Sequence, residues 1–299
     1  MIPTAVCYGE VLWDIFPTHK KIGGAPLNVA LRLNAFKINT HIISRVGKGN
    51  NGKELLHYIE ENGMKTSYVQ VDQSYKTGCV YVTLDTKGSA TYEIEYPVAW
   101  DKIELTDQML ELVKSSDAFI FGSLVCRDET SKNTLFNLLA AASFKVFDVN
   151  LRNPFYSIDL LIDLMDKADF VKCNDDELHE ICKALNFNSK SIGKQVKFLA
   201  KQTQTNKICV TKGKDGAILL YDDQYYSNSG YPIKVADTVG AGDSFLATLI
   251  NNLLNKVKPE RALDLACAVG AMVAGKKGAN PKIAQLEILD FIRSSDRNS

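Results

Sequence analysis

The chain has 299 residues, 45% of them hydrophobic and 23% charged, and its 35 basic and 35 acidic residues cancel. This composition fits a globular protein with a large core and excludes a disordered chain. The charge balance argues against nucleic acid or an anionic membrane as partner, and no apolar run approaches the ~20 residues of a membrane span.

Cysteines stand at positions 7, 79, 126, 173, 182, 209 and 267, without any Cys-x-x-Cys spacing. Several lie in apolar runs, as buried thiols of a reducing compartment do. The histidines at 19, 41, 57 and 179 add no metal-ligand pattern. No signal-peptide pattern is legible, so a soluble cytoplasmic protein is expected.

In chain order, residues 4–8 form a short apolar run that ends at Gly9 and predicts a strand. Residues 10–16 place Glu10 and Asp14 among apolar side chains. The stretch Ile22-Gly23-Gly24-Ala25-Pro26-Leu27-Asn28-Val29-Ala30 leads into a helix reaching about Phe36, and His41 to Val46 is a second strand. Gly47 to Lys53 then imitates a phosphate-binding P-loop. The next residue is Glu54, where that loop needs Ser or Thr, so a plain turn before a helix over 55–62 is expected.

Alternation over 80–84 and 91–96, about a turn at 85–88, predicts a β-hairpin. With residues 10–16 it could form a lid. From about residue 105 strands and helices alternate: strands at 118–121, 145–149, 170–173 and 207–211, helices at 129–142 and 160–167, more helix up to 200, and a hairpin-like pair at 216–221 and 224–226. A last helix is expected over 260–275. Short apolar strands alternating with helices predict an α/β fold whose sheet is mostly parallel, helices on both faces, and ligands in such folds bind beyond the carboxyl ends of strands.

The stretch Asp237-Thr238-Val239-Gly240-Ala241-Gly242-Asp243-Ser244-Phe245 precedes apolar residues at helical spacing. A glycine-rich turn entering a helix aims backbone N–H groups at one spot and suits an anion such as a phosphoryl group. Asp243 offers a carboxylate at its rim; the alternative is that it caps the helix. A dinucleotide fingerprint fails because Phe245 stands where its third glycine belongs.

That stretch and Gly23 to Ala30, with Asp148-Val149-Asn150-Leu151-Arg152, Asn174-Asp175-Asp176-Glu177 and Thr211-Lys212-Gly213-Lys214-Asp215-Gly216 between them, resemble the ribokinase-like, PfkB-type carbohydrate kinases in order and spacing. Gly9 to Asp14 and Pro97 to Asp101 are similar to the fructokinase branch. The resemblance implies a single ribokinase-like domain over 1–299 with a small β lid formed by about 10–20 and 77–100. It implies ATP-dependent transfer of phosphate to a sugar hydroxyl, D-fructose O6 above all. A 2-keto-3-deoxygluconate or nucleoside kinase of the same family is the alternative, and a non-catalytic sugar or nucleotide sensor on a kinase fold is a third reading.

The resemblance gives Asp243 the role of base, and Gly240, Ala241 and Gly242 that of the turn whose N–H groups, with that of Asp243, stabilise the transferring phosphate. Arg152 is implied near that phosphate, a surface ion pair being the other reading. Asp14, Gly24 and Asn28 correspond to sugar-binding positions, although Asn28 could instead cap its helix. Asn174 and Glu177 correspond to the element near Mg2+ and the phosphates, Glu177 acting on the metal through water; a helix start with an acidic first turn accounts for them equally. Thr211, Gly213 and Gly216 are implied under the nucleotide, Ala271, Gly278 and Ala279 near its adenine, and Asp237 near a K+ ion.

Three departures stand out. Gly49 and Thr248 occupy positions where the family often has Asp and Gly, and Tyr96 precedes the lid proline where the fructokinase branch often has Arg. The last argues against a phosphorylated or carboxylated acceptor, which would want a cation there. The alternating lid strands further predict a homodimer joined through the lid.

Overall fold

The computed structural model describes residues 2–84 and 90–296, and its chain divides into two compact units, Ile2–Ser143 and the part from Phe144 onward. In the first, β1 (Thr4–Tyr8), β2 (Leu12–Ile15) and β3 (Lys20–Gly23) precede α1 (Ala25–Ala35), β4 (Asn39–Gly47), α2 (Asn50–Glu61) and β5 (Val69–Asp72). Then come β6 (Gly78–Leu84), β7 (Ala90–Ile94), α3 (Asp107–Lys114), β8 (Ala118–Gly122) and α4 (Glu129–Ala141). Strands β8, β1, β4 and β5 lie side by side in that order, all parallel. Val6, Cys7 and Tyr8 of β1 have no exposure, as expected of a strand covered on both faces.

The expected lid is a second sheet in the order β3-β2-β6-β7. Strand β2 pairs antiparallel with β3 and parallel with β6, and β6 pairs antiparallel with β7. Residues 10–16 and the hairpin thus share one sheet, as their patterns suggest; the turn expected at 85–88 lies outside the described residues. The P-loop imitation closes on itself instead. Helix α2 begins inside it, Gly52 and Lys53 N–H both donate to Gly49 O, and a Cβ on Gly52 would lie 1.9 Å from Gly47 O. No phosphate could enter so tight a corner.

The second unit contains β9 (Lys145–Asp148), α5 (Ile158–Lys167), β10 (Phe170–Asn174), α6 (Asp175–Ala184), α7 (Ile192–Gln202) and β11 (Lys207–Thr211). The hairpin β12 (Ala217–Tyr221) and β13 (Gln224–Asn228) follows, then α8 (Ala241–Leu254), α9 (Pro259–Ala274) and α10 (Gln285–Asp296). Strands β9, β10 and β11 are parallel, and β12 and β13 continue the sheet antiparallel. Helix α8 packs on α9 where the latter is narrow: a Cβ on Gly270 would already touch Ala241 O and Phe245 Cβ at 3.5 Å. Among the described residues no helix is long and apolar enough to cross a membrane.

Candidate active site

The start of α8 is shaped by Gly240. This residue is the N-cap and adopts a left-handed backbone, φ 76°, which an L side chain resists. An added Cβ would meet Ala279 O at 2.5 Å and Ala279 Cα at 2.6 Å, so the turn is seated against the 278–279 backbone. Asp237 ties the same pieces together, accepting from Val239 N–H at 3.1 Å and from Gly278 N–H at 3.2 Å. Because Gly240 occupies the cap, Asp243 sits inside the first turn of α8, and its reading as the helix cap falls away.

The N–H of Ala241 points back to Thr238 O at 3.2 Å, while the first N–H to find an acceptor four residues earlier is that of Ser244, on Gly240 O. The amides of Gly242 and Asp243 precede it, in the helical turn whose N–H groups have no acceptor within the helix. They are the two best placed to receive an anion, with the positive end of the helix dipole behind them.

A cavity of about 740 Å3 opens beside this turn, with Thr238, Ala241 and Gly242 in its wall. Thr211, Gly213 and Gly216 line it too, as does Ala271. Tyr231, Pro232, Ile233 and Phe245 give it an apolar side. The size suits a small-molecule ligand, and apolar walls beside a few polar groups suit a planar base with a charged tail. Gly278 and Ala279 are not in its wall; they back the glycine turn.

Beneath the turn lies a buried charge cluster at the ends of β9 and β10. Lys172 Nζ donates to Asp148 Oδ1 at 2.9 Å, and the two residues are 7% and 5% exposed. Burial alone would push the lysine pKa down, but Asp148, then Glu177 and Asp243, outweigh it and hold the ammonium above the ordinary lysine value. Burial pushes the Glu177 carboxyl up from its ordinary value, against the pull of Lys172. Asn174 and Glu177 form a capping box on α6: Asn174 Oδ1 accepts from Glu177 N–H at 2.7 Å, and Glu177 Oε2 from Asn174 N–H at 2.8 Å. Glu177 Oε1 also accepts from Leu151 N–H at 2.9 Å, joining the 148–152 loop to α6. Arg152 is exposed, and Nη1 donates to Leu151 O at 2.8 Å; among the described residues it has no acidic partner, so the ion-pair reading does not hold.

The oxygens here fit a hard cation held partly through water. Asp148 Oδ2 is buried without a hydrogen-bond partner, and both Glu177 oxygens already serve backbone N–H groups. Among the described residues no three His, Cys, Asp or Glu side chains gather as a cage. Such a sparse set matches Mg2+, which keeps several waters and leans on phosphate oxygens.

In the first unit Gly24, φ 110°, is the N-cap of α1, and a Cβ there would strike Glu10 O at 2.4 Å. Asn28 lies one turn on, 5% exposed, its N–H donating to Gly24 O, so it does not cap the helix. The Asp14 carboxylate on β2 crosses Gly23, where a Cβ would come within 2.5 Å of Oδ2. The structure thus gathers Asp14 and Gly24 at the start of α1, with Asn28 close behind. Of the departures, Gly49 caps α2 with nothing within 4 Å of an added Cβ, and Thr248 Oγ1 donates to Ser244 O inside α8 at 2.6 Å. Tyr96 is exposed and donates to Asp128 Oδ2 at 3.1 Å.

Two features escaped the sequence reading. One is the apolar wall over 231–235, which follows no helix or strand period. The other is Lys172. Its signal was available: a lysine within the apolar run Phe170-Val171-Lys172-Cys173 must find a partner when the strand is covered.

Comparison with known proteins agrees with this geometry. Residues 4–285 match the pfkB family carbohydrate kinase. Fructokinase-1 of Oryza sativa subsp. japonica is 26% identical over 320 residues, 97% of this chain and 98% of that protein. A fructokinase of Xylella fastidiosa with bound ATP superposes with a TM-score of 0.86 at 22% identity, covering 98% of this chain and 99% of that one. A double mutant of Vibrio cholerae fructokinase, bound to fructose, ADP and potassium, gives 0.83 at 23% identity, over 97% and 98%. The fold is therefore the ribokinase-like α/β fold expected. With the family match running through both glycine motifs and the acidic cluster between them, the chain belongs to the pfkB family of carbohydrate kinases.

Proposed function

We propose that this protein transfers the γ-phosphate of ATP to a sugar hydroxyl, with D-fructose phosphorylated at O6. The observation that carries the reading is the cavity whose wall ends on Ala241 and Gly242, because it joins a pocket for a base to an anion-binding turn. Asp243, in that same turn, orients the acceptor hydroxyl and takes its proton as the new bond forms. The Gly242 and Asp243 amides receive the charge that develops on the phosphoryl oxygens, and the exposed Arg152 is assigned as a further cation for the phosphate. Mg2+, when bound, neutralises phosphate charge, with Glu177 and Asp148 holding its waters. We assign Asp237 as the residue near a K+ ion, and one structural relative is potassium-bound. Asp14, Gly24 and Asn28 recognise the sugar. We read residues 1–299 as one kinase domain in the cytoplasm, where its seven buried free cysteines stay reduced.

The fructose assignment rests on the fructokinases among the relatives. It is tested by measuring ADP release with purified protein, ATP and Mg2+ across D-fructose, 2-keto-3-deoxygluconate and nucleosides. Fructose should give the highest kcat/KM; a clear preference for another acceptor overturns the substrate, and binding without turnover favours a sensor.

Glu177→Gln should raise the Mg2+ concentration for half-maximal activity by about 10-fold, as expected on altering a group that orients a metal's shell. It should also lower stability by about 1 kcal/mol, because an amide cannot accept from both Asn174 and Leu151 N–H groups. A Mg2+ titration and thermal unfolding read the two effects.

The lid presents Tyr81, 44% exposed, and Tyr92, 61% exposed, on a sheet with open edges at β3 and β7. Such a surface favours pairing with a second copy. Light scattering should give a dimer, and Tyr92→Lys should shift it toward monomer.

A further inference from the structure

We propose that Lys172 is a positioning residue for phosphoryl transfer, fixing a positive charge beneath the Gly242–Asp243 turn as well as neutralising Asp148. The inference rests on the kinase reading above and adds a residue to it. Three observations meet at this side chain. Its Nζ bonds Asp148 Oδ1 at 2.9 Å in a buried pair. It also approaches Gly242 so closely that a Cβ there would lie 3.5 Å from the ammonium. Its charge is felt by Glu177 and, across the turn, by Asp243.

Asp148 is thus bonded to a lysine that also lies beside Gly242, next to the amides where a phosphate would arrive. Without that cation, Asp148, Glu177 and Asp243 would place uncompensated negative charge behind the anion-binding amides and oppose the incoming phosphoryl oxygens. A buried ammonium on a strand is fixed in place and needs no reorganisation during transfer, which is what makes such charges effective. The alternative is that Lys172 serves only as counter-ion to Asp148. The two roles differ in what happens when Asp148 is already neutral.

The test is a double-mutant cycle with Lys172→Met, Asp148→Asn and both together, each checked for folding by circular dichroism. Lys172→Met alone leaves a buried carboxylate unpaired and could fail to fold; the double variant has no such charge and remains informative. Within the Asp148→Asn background, removing Lys172 should lower kcat by a further 10-fold or so, with the sugar KM changed by less than about 3-fold. If kcat does not fall further, Lys172 is a counter-ion only and the proposal is wrong.

Calorimetric titration in the same background supplies a second readout. ADP affinity should stay within about 3-fold, whereas ADP with aluminium fluoride and Mg2+, which imitates the transferring phosphoryl group, should weaken by about 10-fold. Equal effects on both ligands would also overturn the role. Should the wild-type protein phosphorylate no acceptor, the kinase reading fails by itself, and this titration still decides whether Lys172 acts at the turn.

Discussion

Asp243→Asn is expected to lower turnover by about 10^3-fold or more, the upper part of the range for a positioned general base. Asparagine keeps the shape of the side chain, and the N-cap of α8 is Gly240, so the helix start should survive the change. Sugar and nucleotide affinities should therefore stay within about 3-fold, since the lost interaction is made while the hydroxyl proton moves. The size of the loss separates two views of the carboxylate. As a mere acidic residue in a helix's first turn it would contribute about 0.3–1 kcal/mol to stability and nothing to turnover. Steady-state kinetics with calorimetric binding distinguish them, and wild-type turnover would remove Asp243 from the mechanism.

Gly240→Val should disable the protein by a different route. Valine must adopt φ 76°, a conformation β-branched residues strongly resist, at about 1–2 kcal/mol or more. Its Cβ would also sit 2.5 Å from Ala279 O and 2.6 Å from Ala279 Cα, and backbone cannot swing aside as a side chain could. The turn would have to leave the 278–279 segment, straining the Asp237 links to Val239 and Gly278. We expect turnover to fall by about 100-fold or more, because the Gly242 and Asp243 amides lose their aim. The unfolding midpoint should fall by about 5–10 °C. Gly242→Ala is the contrast: its Cβ meets Lys172 Nζ at 3.5 Å, an ordinary contact, so the midpoint should move by less than about 2 °C. Equal destabilisation by the two would contradict the packing described.

Strands covered on both faces were legible because nothing polar can sit in them without a partner. Thr4–Tyr8, Ala118–Gly122 and Lys207–Thr211 announce themselves as apolar runs ending in glycine or polar residues. The lid was legible for another reason, since its alternation contrasts with its surroundings. Elements with a small buried share left a weaker trace. Helix α3 buries Met109 and Val113 alone, strand β5 has four residues, and α10 buries little beyond Ile288 and Ile292. Packing, more than intrinsic pattern, fixes such pieces.

The site divides in the same way. Glycine turns are local, so Gly23–Asn28 and Gly240–Asp243 could be read from neighbouring residues. The capping alternatives raised for Asn28 and Asp243 fall away because both N-caps are glycines at positive φ, Gly24 and Gly240, which leaves the two polar residues beyond the cap. Lys172 stayed hidden because its meaning lies in Asp148, Glu177 and Asp243, which only the folded sheet brings to it. Tyr96 donates to Asp128, which also accepts from Lys102 at 2.6 Å, and the Arg127 guanidinium lies 5.1 Å from the centre of the Tyr96 ring, so the cations beside the lid proline come from elsewhere in the chain than residue 96.

The most direct test of the account is phosphorus NMR of the purified protein with ATP, Mg2+ and D-fructose. The account predicts one fructose 6-phosphate for each ADP formed, with the signal abolished in Asp243→Asn. ATP converted to ADP and free phosphate alone, or fructose phosphorylated as fast without the Asp243 carboxylate, would contradict it.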